Sequence, residues 1–147
     1  MPATDDVLTI APRVPSASTG SVAAIAEAAN RYAEFRFAFL LDWHPTRREM
    51  LISTRFGEAG QIHQVKMPGG ARTQLTFFPD RTGGARYGPT DGDYFVFSKD
   101  VGGGEWYQFY RFDLSTGGIT LLTDGKSRNV GLRFAPGEHR VVYSSPR

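Results

Sequence analysis

The sequence contains no cysteine. That excludes disulfide staples and thiolate metal sites, and it leaves the redox compartment unread. Long apolar runs are also missing, and nothing approaches the roughly 18 residues a helix needs to cross a bilayer, so no membrane span is expected. Charge of one sign is nowhere concentrated. Seventeen basic residues against 15 acidic ones leave a formal net charge of +2, with no basic run of five or six. A nucleic-acid partner is therefore not expected, and a mixed, solvated surface is. The opening MPATDDVLTIAPRVPSASTG lacks the basic start and apolar stretch of a secretory signal. The compartment, cytoplasm or periplasm, stays open.

What is abundant points to strands. Aromatics make up 13% of the 147 residues and glycine occurs 17 times, a mixture that suits short strands joined by tight turns. Residues 1–20 read as a flexible arm, because Pro2, Pro12 and Pro15 restrict their neighbours and withhold ladder donors. The one helical signal is 21–36, SVAAIAEAANRYAEFR. There Val22, Ile25, Ala29 and Tyr32 recur at three- and four-residue spacing behind Ser21, a good N-cap. From Phe37 onward the texture is all-β.

An internal repeat organises this β region. With Pro45, Pro89 and Pro136 in register, the text reads WHPTRREMLISTR, YGPTDGDYFVFSK and FAPGEHRVVYSSP. An aromatic (Trp43, Tyr87, Phe134) stands two residues before each proline, and each following strand-like run ends in a hydroxyl, at Thr54, Ser98 and Ser145. A second segment, Gln61 to Thr76, aligns without gaps on Gln108 to Thr123. It keeps Gln61/Gln108, Gly70/Gly117, Thr73/Thr120, Leu75/Leu122 and Thr76/Thr123. His63, Val65 and Met67 map onto Tyr110, Phe112 and Leu114, alternating with polar residues as a strand with one buried face requires. The proline spacings are 44 and 47 residues, while Thr76 to Pro89 and Thr123 to Pro136 are both 13. One three-residue insertion, where RFGEAG becomes KDVGGGEWY, is expected to hold the whole difference.

Each unit reads as four strands, and a period near 45 with four short strands is the signature of a propeller blade. Asp91-Gly92 suits a tight hairpin, and Pro68-Gly69-Gly70 and Thr116-Gly117-Gly118 supply the positive φ of a return. The expected fold is an incomplete β-propeller over 37–147 behind the short helix. Two four-stranded blades, about 37–80 and 81–127, precede the start of a third at 128–147.

These residues resemble the N-terminal β-propeller of bacterial prolyl oligopeptidase-family (dipeptidyl-peptidase-like) serine peptidases, and more distantly the TolB propeller. The shared unit is an aromatic-Ser-Pro-Asp-Gly turn, an apolar strand ending in Ser and a later strand ending in Leu-Thr. The chain keeps the aromatic, the proline and the closures Leu75-Thr76 and Leu122-Thr123. It departs at the tetrapeptide, which reads His44-Pro45-Thr46-Arg47, Gly88-Pro89-Thr90-Asp91 and Ala135-Pro136-Gly137-Glu138. REMLISTRFG, PGGARTQLTFF, FSKDVGGGEW and LLTDGKSRN carry the likeness to the peptidases in particular. The resemblance, over roughly 35–147, implies a substrate-gating and scaffolding part beside a C-terminal α/β-hydrolase domain that this chain lacks and that would act on peptide. A non-enzymatic, TolB-like interaction propeller is the alternative.

No catalytic residue is expected here, since the chain has no Gly-x-Ser-x-Gly elbow. His44, His63 and His139 fall at turn or strand positions and lack metal-ligand spacing, so neither a triad nor a metal site is expected. Gly125-Lys126-Ser127 ends like a phosphate loop, but Thr120 stands where its first glycine belongs. Asp91, Asp93 and Asp124 form no calcium loop with a closing Glu. No cofactor is expected. The repeat aromatics read as wedges between blades. Gly102-Gly103-Gly104-Glu105-Trp106 reads as a surface loop, with Glu105 and Trp106 the candidates for touching a peptide. Open blade edges would invite self-association.

Overall fold

Short aromatic and β-branched runs, separated by Gly, Pro and Asp turns, form antiparallel strands wherever the structure is described. The structure is a computed structural model that describes residues 37–100 and 102–146. The arm at 1–20 and the helix at 21–36 lie outside the described residues. Strands β1 (Phe39–Trp43), β2 (Met50–Thr54), β3 (Gln61–Val65) and β4 (Arg72–Gln74) make a first sheet in chain order. Strands β5 (Thr82–Tyr87), β6 (Tyr94–Lys99), β7 (Gln108–Asp113) and β8 (Ile119–Leu121) make a second in the same order. Strands β9 (Val130–Phe134) and β10 (Val141–Ser144) pair as a third. No helix occurs among the described residues. The described part of the chain is all-β.

Side-chain alternation along β6 shows how the sheets face one another. Phe95 and Phe97 point to the first sheet and bury with Leu51, Ile62, Ala85, Tyr87 and Phe112. Tyr94 and Val96 point the other way and bury with Phe109 against Leu132, Phe134 and Tyr143 of the third sheet. A strand covered on both faces has no polar side to keep, which is why β6 reads YFVF without alternation. Phe95 is fully buried and stacks on Phe112 at 4.8 Å. Burying each such ring contributes about 1.5–3 kcal/mol.

Two expectations about the repeat are corrected by this packing. The third strand does not have one buried face, for every residue of β3 is buried. Nor is Trp43 a buried wedge: it is 57% exposed, whereas Tyr87 is 3% exposed and Phe134 is half-buried. Each of these aromatics shares a face with the start of the next strand, by the pairs Trp43–Met50, Tyr87–Phe95 and Phe134–Val141. Tyr87 thereby packs on the first sheet and Phe134 on the second. Trp43 has no preceding sheet among the described residues to pack on.

The ladders also relocate the insertion. Trp43 opposes Met50 and Phe134 opposes Val141, but Tyr87 opposes Phe95, one residue further along. The turn bonds agree: His44 N donates to Glu49 O and Ala135 N to Arg140 O, each across five positions, while Gly88 N reaches Tyr94 O across six. Thr54 opposes Gln61, and Lys99 opposes Gln108. The three extra residues are therefore split, one in the β5–β6 turn and two in the β6–β7 loop. An added residue in the turn flips the β6 faces relative to the ungapped text.

Three of the five identical pairs, Gln61/Gln108, Leu75/Leu122 and Thr76/Thr123, take part in a polar closure of the sheet. Leu75 N donates to Ile62 O and Leu122 N to Phe109 O, extending β4 and β8 by one rung. The next residue turns its hydroxyl inward, so Thr76 Oγ1 accepts from Ile62 N and Thr123 Oγ1 from Phe109 N. Gln61 Nε2 donates to the Phe78 and Asp80 carbonyls. Gln108 Oε1 accepts from Thr123 Oγ1, Gly125 N and Asn129 Nδ2, while its Nε2 donates to Ser127 O. Each glutamine thus ties the start of its strand to the segment leading to the next sheet.

Candidate functional site

Long strands running the same way in each sheet place the turns in two sets at opposite ends. The aromatic-x-Pro turns and the β3–β4 and β7–β8 hairpins lie at one end, and the β6–β7 loop at the other. The residues expected to touch a ligand are thereby separated from an open cleft at the other end.

At the loop end, Asp100 holds the backbone. Its Oδ2 accepts from Glu105 N at 2.9 Å and its Oδ1 from Trp106 N at 3.1 Å. Gly102 and Gly103 take positive φ, as does Glu105 at 58°, where a side chain costs about 1 kcal/mol or more. Glu105 Oε2 lies 3.5 Å from Arg128 Nη2 at the surface, and Trp106 is 57% exposed. The arrangement displays a carboxylate and an indole side by side on a clamped loop. Neither residue lines the large cleft.

At the turn end, an open cleft of about 1060 Å³ runs along the sheets. Four of its seven Lys, Arg, Asp and Glu side chains form two ion pairs. Glu49 accepts from Arg47 Nε at 3.0 Å and from Gln64 Nε2 at 2.9 Å. The Arg111 guanidinium sits 4.1 Å over the Tyr94 ring and 3.8 Å from Asp113. The Tyr94 hydroxyl lies 3.0 Å from His139 Nδ1. Burial first, then the Asp91 charge, push the Tyr94 phenol above its ordinary value against the pull of Arg111. Tyr87 is raised as well, chiefly by burial and against its bond with Gln64. Sequence reasoning missed Gln64, Tyr94 and Arg111. Their only signal is the strand alternation that puts them on one face, and the displaced β6 register hides it.

Next to this cleft the repeat signatures come together. Trp43, Pro45, Tyr87, Pro89 and Phe134 line one crevice of about 240 Å³ at the ends of β1, β5 and β9. Tyr87 N donates to Asp42 Oδ2 there, tying β5 to β1. Pro136 is not among its walls. Of the closure leucines, Leu75 packs on the core and Leu122 is 40% exposed.

Two of the histidines, His44 and His63, are buried in the fold. His44 Nδ1 accepts from Thr46 N at 3.2 Å and Arg47 N at 3.1 Å, so the ring closes the turn. The Thr46 hydroxyl is 3.5 Å from the same nitrogen. That lone pair is already committed to two amides and cannot serve as a base. The proton therefore sits on Nε2, which is buried without a partner. His63 donates from Nδ1 to Gln61 O at 3.2 Å, and its ring meets Phe56 edge-on. Among the described residues no group of three His, Asp or Glu side chains could hold a metal ion. No described helix is long and apolar enough to cross a membrane. No protein-family model matches the sequence, and no curated protein matches it.

Proposed function

We propose that the chain is an incomplete β-propeller, the substrate-gating part of a prolyl oligopeptidase-like serine peptidase whose hydrolase domain lies outside it. The observation that carries this reading is the convergence of Trp43, Pro45, Tyr87, Pro89 and Phe134 on one crevice. Equivalent residues of successive sheets meet at one place when the sheets repeat radially about it, as blades do. The common strand order of the two complete sheets supports the same reading. Three sheets are fewer than the roughly four to eight that close a ring.

The gating role fits a surface of mixed charges with one displayed carboxylate and indole. The Thr46–His44 pair is unsuited to attack, because the His44 Nδ1 lone pair is held by two backbone amides. The purified 147-residue chain should give no turnover of Xaa-Pro peptides. Cleavage that disappears when one of its own residues is substituted overturns the proposal. In the longer chain that this reading implies, Glu105→Gln and Trp106→Ala should raise KM for peptide with little change in kcat. Unchanged kinetics in both removes the loop from the gate. The mixed-charge cleft also suits a TolB-like interaction propeller, and the absence of a hydrolase domain in that longer chain would decide for it.

A further inference from the structure

The tripeptide Thr-Asp-Gly occurs twice, as Thr90-Asp91-Gly92 in the β5–β6 turn and as Thr123-Asp124-Gly125 just after β8. Aspartate followed by glycine is prone to isomerise, because glycine carries no side chain to keep its amide nitrogen from the neighbouring carboxyl. Both glycines take positive φ, +70° and +74°, so the backbone at the glycine does not separate the two places. How each aspartate is held does. Asp124 Oδ1 accepts from Lys126 N at 3.0 Å and Ser127 N at 2.9 Å, and its Oδ2 accepts from the Ser127 hydroxyl. The residues on either side of it are both tied to Gln108 Oε1, Thr123 through its hydroxyl at 2.6 Å and Gly125 through its amide at 3.1 Å. That acceptor is buried, together with Thr123 and Asn129. Asp91 has only the bond that its Oδ1 accepts from Asp93 N at 3.2 Å. Asp91 and Thr90 are exposed, and Gly92 N donates to no side chain among the described residues.

We propose that Asp91–Gly92 is a site of spontaneous aspartate isomerisation, and that the bonds around Asp124 protect Asp124–Gly125 from the same reaction. The Gly92 amide nitrogen attacks the side-chain carboxyl carbon of Asp91. A C–N bond forms and one water leaves, made of a carboxyl oxygen, its proton and the amide hydrogen. Water then opens the cyclic imide. Breaking the bond from nitrogen to the side-chain carbon restores aspartate, and breaking the bond to the main-chain carbon leaves isoaspartate, joined to Gly92 through its side chain. No co-reactant besides water takes part. The product lengthens the main chain of the turn by one methylene next to Gly92, which lies so close to His44 that a Cβ there would be 2.4 Å from Nε2. It also moves a carboxylate on the wall of the open cleft. This inference rests on the bonding of the two tripeptides and not on the peptidase reading, which the turnover assay tests separately.

The test ages the 147-residue protein for weeks in neutral buffer, with and without urea, and locates isoaspartate in tryptic peptides by fragmentation. The peptides Tyr87–Lys99 and Phe112–Lys126 carry the two tripeptides separately. In the folded protein the product at Asp91 should exceed that at Asp124 at least about tenfold, because only Asp124 must first open locally. In urea the shared tripeptide should bring the two within about threefold of each other. Asp91→Glu demands a larger ring and should remove the product from Tyr87–Lys99. Gln108→Ala frees both neighbours of Asp124 and should raise the product there at least about tenfold. Equal product at the two places in the folded protein, none at Asp91, or the same Asp91 excess in urea overturns the proposal. So does product that persists in Tyr87–Lys99 of the Glu variant, or an unchanged Asp124 in a folded Gln108→Ala. The wild-type comparison decides the matter even where the Gln108 variant fails to fold.

Discussion

Acidification should destabilise the protein through His44, and the structure fixes both the sign and the ceiling of the effect. Burial, the largest cause, and then the nearby Arg47 charge hold the His44 pKa below its ordinary value, against opposing pulls from Glu49, Asp93 and Asp91. The folded state therefore favours the neutral ring, and the unfolded chain takes up the proton first. Stability is complete above the unfolded pKa of about 6.5, falls as the pH drops below it, and levels off beneath the depressed native value. His63 acts in the same direction, lowered by burial first and by Arg72, with the Gln61 carbonyl opposing. Each histidine can contribute at most about 1.4 kcal/mol per pH unit, so the pair sets a ceiling of about 2.8 kcal/mol per unit.

The geometry explains why the native ring resists the proton. Protonated Nδ1 would present an N–H to the Thr46 and Arg47 amides that it now accepts from. His44→Asn keeps an acceptor for those amides and removes the titration, so the turn should survive with a shallower pH dependence. His44→Ala removes the acceptor and the ring packing on Tyr87, at a cost of about 2–4 kcal/mol. Urea unfolding of the three proteins at pH values from about 8 to about 5 measures this. An Asn variant whose stability falls with pH as steeply as the wild type refutes the reasoning.

The closure glutamines and one glycine give two further tests. Gln108→Ala leaves the Asn129, Thr123 and Gly125 donors without their shared acceptor, and should cost about 2–4 kcal/mol in urea unfolding. Gln61→Ala should cost less, because Gln61 accepts only from Phe78 N and donates to two carbonyls. Gly92→Ala meets two penalties, a φ of +70° and a Cβ that would lie 2.4 Å from His44 Nε2. Gly102→Ala meets only a φ of +67° in open space and should cost about 1 kcal/mol. Equal melting shifts for the two variants would show that the His44 ring does not pack on Gly92 as described.

The strands of the two complete sheets are legible because their signals are local. MLIST, YFVFS and QIHQV are β-branched or aromatic runs bounded by turn residues, and such runs declare themselves without knowledge of their neighbours. The turn glycines Gly69, Gly92 and Gly117 are legible for the same reason, and all three take positive φ. Which face of a strand is buried is a different kind of fact. It depends on what lies on either side of the sheet, and a one-residue change in a turn reverses it. The ungapped text equates Leu51 with Phe95, yet Leu51 faces the second sheet while Phe95 faces the first. Any site read from that alignment mixes the two faces of β6. That is why the sequence does not single out the cleft residues Tyr94 and Arg111, whereas the glycine-rich string marks the loop that holds Glu105 and Trp106.

The repeated Gln and Leu-Thr mark a third kind of signal, visible as identity but silent about cause. Their spacing looks like packing periodicity, and only coordinates show the Thr hydroxyl taking an amide that the last rung of the ladder leaves open. A methyl-for-hydroxyl swap at Thr123 would keep the strand propensity and leave Phe109 N buried without an acceptor, at about 1–3 kcal/mol. The polar closure, more than the apolar alternation, is therefore what makes each sheet hand the chain on to the next in a fixed register.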